Sequence, residues 1–211
     1  MDNIKLVGFD LDGTLIKGNS WVDLNIALGV TKEEDQAMYD AHVAGNLSYE
    51  DWLEKLADIY RAHGLATKDK IMEILSQVVI REGAAEAIAY LKSKGYKTAI
   101  ISGSNDLIVD LVKEKLGIEY GFSVNTFVFD EANNFKAVKT LGLDTNAKTD
   151  LLNKLATDLG LNLASCAYIG DGYNDLGIFK ATGHGIALAH APIVDRAWKV
   201  IEGFDQISTV L

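Results

Sequence analysis

Ile4-Lys5-Leu6-Val7-Gly8-Phe9-Asp10-Leu11-Asp12-Gly13-Thr14 stands at the head of the chain, and its reading decides the rest. The run from Ile4 to Phe9 has the composition of a buried strand, and it stops on two carboxylates one residue apart. A strand that ends on acids places them at its carboxyl end, where open α/β sheets hold their ligands. Carboxylates this close repel one another, so the pair calls for a cation or a shared proton. If this is the first strand of such a sheet, later strands must bring further polar loops to the same edge.

The next stretch is helical. Trp21, Leu24, Ile26 and Leu28 lead to a stop at Gly29, and Thr31 caps a second helix whose first turn holds Glu33, Glu34 and Asp35. Gly45 closes that helix. Ser48 opens a third, with Trp52, Leu53, Leu56, Ile59 and Tyr60 at helical spacing, and a fourth runs from about Thr67 to Gln77. No strand pattern interrupts these roughly 60 residues, which read as a helical insertion.

Alternation of strand and helix then resumes. Ala84, Ala87, Ile88 and Leu91 form a core-facing helical stripe. Lys97 to Ile101 is a buried strand ending on Ser102-Gly103-Ser104-Asn105, followed by a helix carrying Ile108, Leu111, Val112 and Leu116. Ser123 to Phe129 alternates like a strand, with a hairpin signal at Asn133-Asn134. Lys148 opens a helix with Leu151, Leu152, Leu155 and Leu159. Cys166 to Ile169 is a strand ending on Gly170-Asp171-Gly172-Tyr173-Asn174-Asp175, and Gly185 to Leu188 is the last clear strand. The expected fold is α/β: a doubly wound, mostly parallel, Rossmann-like sheet with an inserted α-helical cap. Residues 1–16 and 80–211 form the core and 17–79 the cap.

Composition narrows the function. A chain of 211 residues with a formal net charge of −10 is not built to grip a nucleic-acid backbone. No apolar run reaches the length of a membrane span, and no basic-then-apolar leader opens the chain, so a cytoplasmic protein is expected. The single cysteine, Cys166, excludes an intrachain disulfide.

Right-handed crossovers bring the loops at Asp10, Ser102 and Asp171 to one sheet edge. Lys148 joins them only if the connection before it returns there. Together these groups supply what phosphoryl transfer needs, which is positioning and charge neutralisation. Asp10 and Asp171 offer hard oxygen ligands for Mg²⁺, Ser102 a hydroxyl, and the backbone around Gly103 N–H donors for phosphate oxygens. Lys148 adds a point charge, and Gly13 allows close backbone approach to the anion. Rival motifs fail. A calcium loop from Asp171 would need an acid or Asn where Tyr173 stands, and Glu where Thr182 stands. Gly95-Tyr96-Lys97-Thr98 is not a P-loop, Gly170-Asp171-Gly172 lacks the third glycine of a dinucleotide fingerprint, and the four histidines lack zinc spacing.

In their order along the chain, Asp10-Leu11-Asp12-Gly13-Thr14, Ser102-Gly103-Ser104, Lys148 and Gly170 to Asp175 resemble the four motifs of the haloacid dehalogenase-like hydrolase superfamily. Its phosphoserine phosphatase-like branch, with a helical cap, is the most similar. The resemblance implies that Asp10 attacks phosphorus to form an aspartyl-phosphate, with Asp12 as acid and then base. It implies Mg²⁺ held by the Asp10 carboxylate, the Asp12 carbonyl and Asp171, with Asp175 acting through water. Ser102, Gly103, Lys148 and Asn174 would hold the phosphoryl group. The expected function is Mg²⁺-dependent hydrolysis of a small phosphorylated metabolite, phosphoserine being one option, by a monomer or homodimer. A phosphotransferase or mutase uses the same motifs, and a non-catalytic phosphate-binding regulatory module is the remaining alternative; Asp12 favours turnover. In the phosphoserine enzymes an acid about nine residues past the nucleophile reads the amino group, and a cap arginine reads the carboxylate. Here Asn19 takes the first place, and Arg61, the one cap arginine, has unmatched surroundings. Asn19, Ser20, Trp21 and Trp52 are the candidate substrate-selecting residues of the cap.

Overall fold

A computed structural model describes residues 3–142 and 145–211. Its centre is a seven-stranded sheet in the order β4-β3-β2-β1-β5-β6-β7. The strands are β1 (Leu6–Phe9), β2 (Lys97–Asn105), β3 (Tyr120–Phe129), β4 (Phe135–Thr140), β5 (Cys166–Gly170), β6 (Gly185–Leu188) and β7 (Lys199–Ile201). All neighbours pair in parallel except β3 and β4, which form the hairpin that Asn133-Asn134 signals. Asn133 takes a positive φ of 63° in that turn, a conformation asparagine tolerates. The first strand thus lies at the middle of the sheet, buried on both faces as its continuous apolar run requires.

The sheet divides two layers of core. On one face Val7, Phe9, Ile100 and Ile169 pack with α5 (Ala84–Ser93) and α6 (Asp106–Leu116). On the other, Leu6, Ile101 and Tyr168 meet α7 (Thr145–Asp158) and α8 (Leu176–Thr182) through Leu152, Leu155, Ile178 and Phe179. Each fully buried side chain of this size stabilises the fold by roughly 2 kcal/mol. The short C-terminal helix α9 (Ile207–Val210) completes the first layer through Ile207. No helix among the described residues is long and apolar enough to cross a membrane.

Four helices separate β1 from α5 in the chain: α1 (Ser20–Ala27), α2 (Lys32–Val43), α3 (Tyr49–His63) and α4 (Lys68–Leu75). Their starts are where the capping residues lie. Thr31 and Glu34 form a reciprocal capping box, while Ser48 and Thr67 accept from the N–H groups of Asp51 and Lys70. The chain enters and leaves this helical layer side by side: Lys17 N–H donates to the Val79 carbonyl at 2.8 Å, and Arg81 N–H to that of Leu15 at 2.8 Å.

The layer is also pinned to the β3–β4 hairpin. Phe135 N–H donates to the Ala66 carbonyl at 2.7 Å, and Lys68 N–H to that of Asn133 at 2.9 Å. Beneath them the Tyr60 ring stands 5.3 Å from Phe135, edge to face, and Phe135 stands 5.3 Å from Phe127. Two strands depart from the expectation. β3 begins at Tyr120, ahead of the alternating stretch, and β7 is a short edge strand with only Ile201 buried, too weakly patterned to be read.

Candidate active site

The register of the central strands brings the loops together. Phe9 pairs with Ile100 on one side and Ile169 on the other, so Asp10 follows β1 at the level of Ile101 and Gly170, and Ser102 and Asp171 come next on either side. Beyond them lies a cavity of about 590 Å³, lined on the sheet side by Asp10, Asp12, Ser102, Gly103, Asp171 and Asn174. Asn19, Trp21 and Trp52 line its helical side.

Lys148 is not at the surface. It is 2% exposed, and its Nζ lies 2.9 Å from Asp10 Oδ1 and 2.7 Å from Asp175 Oδ1. The reason is periodicity: Lys148, Leu152 and Leu155 fall at i, i+4 and i+7 on the face of α7 that packs on the sheet. A lysine continuing an apolar stripe toward the carboxyl edge is a signal that can be read before folding. Burial works against its charged form, but Asp10 and Asp175 outweigh that and hold the ammonium above the usual lysine range.

Asp175, expected to support a metal through water, is held by protein donors on both of its oxygens. It is fully buried, and its Oδ2 accepts from the N–H groups of Asp171, at 3.1 Å, and Gly172, at 3.0 Å. It thereby shapes the loop while its other oxygen pairs with Lys148. A Cβ on Gly170 would collide with this carboxylate, which explains the glycine ahead of Asp171.

The two acids of the opening stretch face different partners. Asp12 accepts from Ser20 N–H at 2.7 Å, from Ser20 Oγ at 3.1 Å, and from Ser104 Oγ. Burial raises its pKa, and these donors only partly offset the rise. Asp10 is pushed up to about 7, first by burial and then by Asp175 and Asp171, with Lys148 pulling the other way. Asp171, which accepts from Thr14 Oγ1 at 2.9 Å, is also raised, mainly by burial.

Carboxylate oxygens of Asp10, Asp171 and Asp175 lie within 4.8 Å of one another. Three acids against one lysine leave an excess of negative charge, and the donors are all hard oxygens. That set fits Mg²⁺, which would relieve the repulsion and draw the raised pKa values back down.

Several residues around this centre escaped the sequence reading. Ser104, quoted within its motif but given no task, grips Asp12. Arg81 donates from Nε to the Thr14 carbonyl at 2.8 Å and from Nη2 to that of Gly13, fixing the turn. Asn125 donates to the Gly103 carbonyl at 2.7 Å. Ser20, placed among the substrate-selecting residues, is 1% exposed and does not line the cavity; it holds Asp12. Asn19 does line it, but its side-chain oxygen caps α1, accepting from the N–H groups of Trp21 and Val22. Trp21 donates through Nε1 to the Gly103 carbonyl at 3.3 Å and packs edge-on against Phe127. Arg61 does not line the cavity and is engaged by the Lys136 carbonyl, Asp58 and Glu54.

Gly13 gives a direct test of the turn. Its φ is +73°, and a Cβ there would overlap the Asp171 carboxylate. Gly13→Ala is expected to lower Tm by a few degrees, since left-handed backbone costs a side chain about 1–2 kcal/mol. Displacement of Asp171 should also weaken metal binding, seen as a higher Mg²⁺ concentration for half-maximal activity.

Known proteins resemble this chain in sequence and fold. The family model described as haloacid dehalogenase-like hydrolase matches residues 4–183. A phosphoserine phosphatase of Methanocaldococcus jannaschii is 33% identical over 190 residues, covering 90% of this chain and 88% of that protein. A phosphoserine phosphatase of Archaeoglobus fulgidus is 28% identical; the match covers 87% of this chain but 52% of that protein, so the chain spans about half its length. Among solved structures, one described as a phospho-aspartyl intermediate analogue of phosphoserine phosphatase superposes with a TM-score of 0.80 at 31% identity, covering 99% of each chain. With the fold, the four converging motifs and these likenesses in agreement, the chain belongs to the haloacid dehalogenase-like hydrolases.

Proposed function

We propose that the chain is a cytoplasmic, Mg²⁺-dependent phosphatase of small phosphomonoesters that works through an aspartyl-phosphate on Asp10. One observation carries this reading. Two carboxylates a single residue apart are held by separate partners, Asp10 by Lys148 and Asp12 by Ser20 and Ser104. That separation allows one to act as nucleophile while the other keeps a proton. The relatives named phosphoserine phosphatase support the same chemistry.

The residues divide the work as follows. An Asp10 carboxylate oxygen attacks phosphorus, and the bond to the alcohol oxygen breaks. Asp12 gives its proton to that departing oxygen. In the second half Asp12, now ionised, takes a proton from water as the water oxygen attacks phosphorus, and Asp10 is released with inorganic phosphate. Lys148 and the Ser102 hydroxyl neutralise and orient the phosphoryl oxygens, with Gly103 and Asn174 at the same wall. Mg²⁺, held by Asp10, Asp171 and the Asp12 carbonyl, would supply charge neutralisation for the phosphoryl group. The same reading divides the chain into a core of residues 1–16 and 80–211 and a cap of 17–79. The side-by-side pairing of Lys17 with Val79, and of Arg81 with Leu15, supports that division.

The test is p-nitrophenyl phosphate turnover. Phosphate release is expected with Mg²⁺, none after dialysis against EDTA, and recovery when Mg²⁺ is restored. Turnover that persists undiminished in EDTA would sink the metal-dependent reading.

A further inference from the structure

The wall of the cavity that faces the sheet-edge acids is built from three helix faces. From α1 come Trp21 and Asn25, from α2 Asp35 and Tyr39, and from α3 Tyr49 and Trp52, each pair at i, i+3 or i, i+4. The rings form a box. Trp52 stands 6.3 Å from Tyr39 and 6.1 Å from Tyr49, with interplanar angles of 70° and 90°. His42 closes it, 5.4 Å from Trp52, with its Nδ1 donating to the Leu47 carbonyl.

The charge of this wall is one-sided. Among the described residues no lysine or arginine lines the cavity, and Arg61 is held elsewhere by a carbonyl and two acids. A carboxylate is present instead. Asp35 follows Glu33 and Glu34 in the first turn of α2, but unlike them it is turned inward and half-buried. Its Oδ1 accepts from Asn25 Nδ2 at 2.6 Å, and the buried Asn25 in turn accepts from the hydroxyl of the buried Tyr60. A carboxylate so oriented, beside these rings and with no lysine or arginine on the cavity wall, is a site for a cation. Aromatic faces attract ammonium groups, quaternary ones included, and an acid adds to that attraction. A substrate carboxylate would meet Asp35 and no lysine or arginine on this wall.

We propose that the cavity selects a phosphorylated amino alcohol: a phosphomonoester whose alcohol carries an ammonium group and no carboxylate. Asp35 and the Tyr39-Tyr49-Trp52 box receive the ammonium while the phosphate lies at Asp10. The proposal rests on the phosphatase reading of Asp10 and Asp12 and departs from phosphoserine as the substrate.

The experiment compares choline phosphate with its uncharged carbon isostere, 3,3-dimethylbutyl phosphate, alongside ethanolamine phosphate, phosphoserine and p-nitrophenyl phosphate. The expected kcat/KM for choline or ethanolamine phosphate exceeds that for the isostere by about tenfold, and that for phosphoserine by more. In Asp35→Asn the ratio of choline phosphate to isostere is expected to collapse toward one, a change that a loss of folded protein cannot produce. Equal turnover of choline phosphate and the isostere by the wild-type chain, or preference for phosphoserine, would overturn the proposal. So would an unchanged ratio in Asp35→Asn. Failure on p-nitrophenyl phosphate as well as every other ester would instead overturn the phosphatase reading beneath it.

Discussion

Asp10→Asn is expected to lower kcat/KM by on the order of 10⁴ or more, with the fold intact. The amide is isosteric but carries no charge and no effective lone pair for attack on phosphorus, so the covalent route is lost. Stability should respond in the opposite sense. Asp10 is buried, and burial with the nearby Asp175 and Asp171 raises its pKa from 3.8 to about 7 despite Lys148. A raised carboxylate pKa means that the unfolded chain releases its proton first. Wild-type stability from this group is therefore present below about pH 4 and is lost as pH rises toward 7. Asparagine does not titrate, and Lys148 keeps its contact with Asp175. In metal-free buffer the variant should melt at the wild-type temperature or above it at pH 7, and the gap should open between about pH 4 and 7. Thermal melts in EDTA across that range check it. A Tm lower than wild type by more than about 5 °C would show that the Lys148 pair outweighs the repulsion among the acids.

Lys148→Met carries the largest expected cost in stability. The lysine lies between two carboxylates that are 8% and 0% exposed, and removing it leaves both buried without their cation. Breaking a buried pair in this way costs about 3–5 kcal/mol, which for a chain of this length is roughly a 10 °C loss in Tm. The lysine pKa is raised in the fold, so its contribution is fully present at neutral pH and lost only in strong alkali. Denaturant unfolding in EDTA at pH 7 gives the number. The double variant Lys148→Met with Asp175→Asn should recover part of the loss, because one stranded charge is gone. A single-variant loss under about 2 °C would mean that water already screens these carboxylates.

Much of this centre is legible before folding because each motif is local. A strand that ends on acids, a strand that ends on Ser102-Gly103 and a strand that ends on Gly170-Asp171 can each be read from short-range pattern. What is not local was missed. Ser20 lies eight residues past Asp12 and reaches it only because the chain loops back before α1, and Ser104 reaches it from another strand. Arg81 sits 67 and 68 positions from the carbonyls it clamps. No periodicity reports such contacts. Lys148 is the instructive middle case: weighed alone it reads as a surface lysine, but weighed with Leu152 and Leu155 it belongs to the buried stripe of α7.

The chain's order of apolar stripes and polar strand ends determined a doubly wound sheet, a helical insertion after β1, and the identity of the acids at its edge. Those follow from hydrophobic periodicity and backbone geometry, which act over a few residues. Only the tertiary structure decided which partner each acid has and what the helical wall offers a substrate. Asp10 faces Lys148 and Asp12 faces two serines because loops far apart in sequence meet at one sheet edge. Asp35 shares a cavity with Tyr39, Tyr49 and Trp52 because three separate helices turn one face each into it. Contacts of that range depend on where whole elements pack, and packing is set by the entire core rather than by any stretch of it.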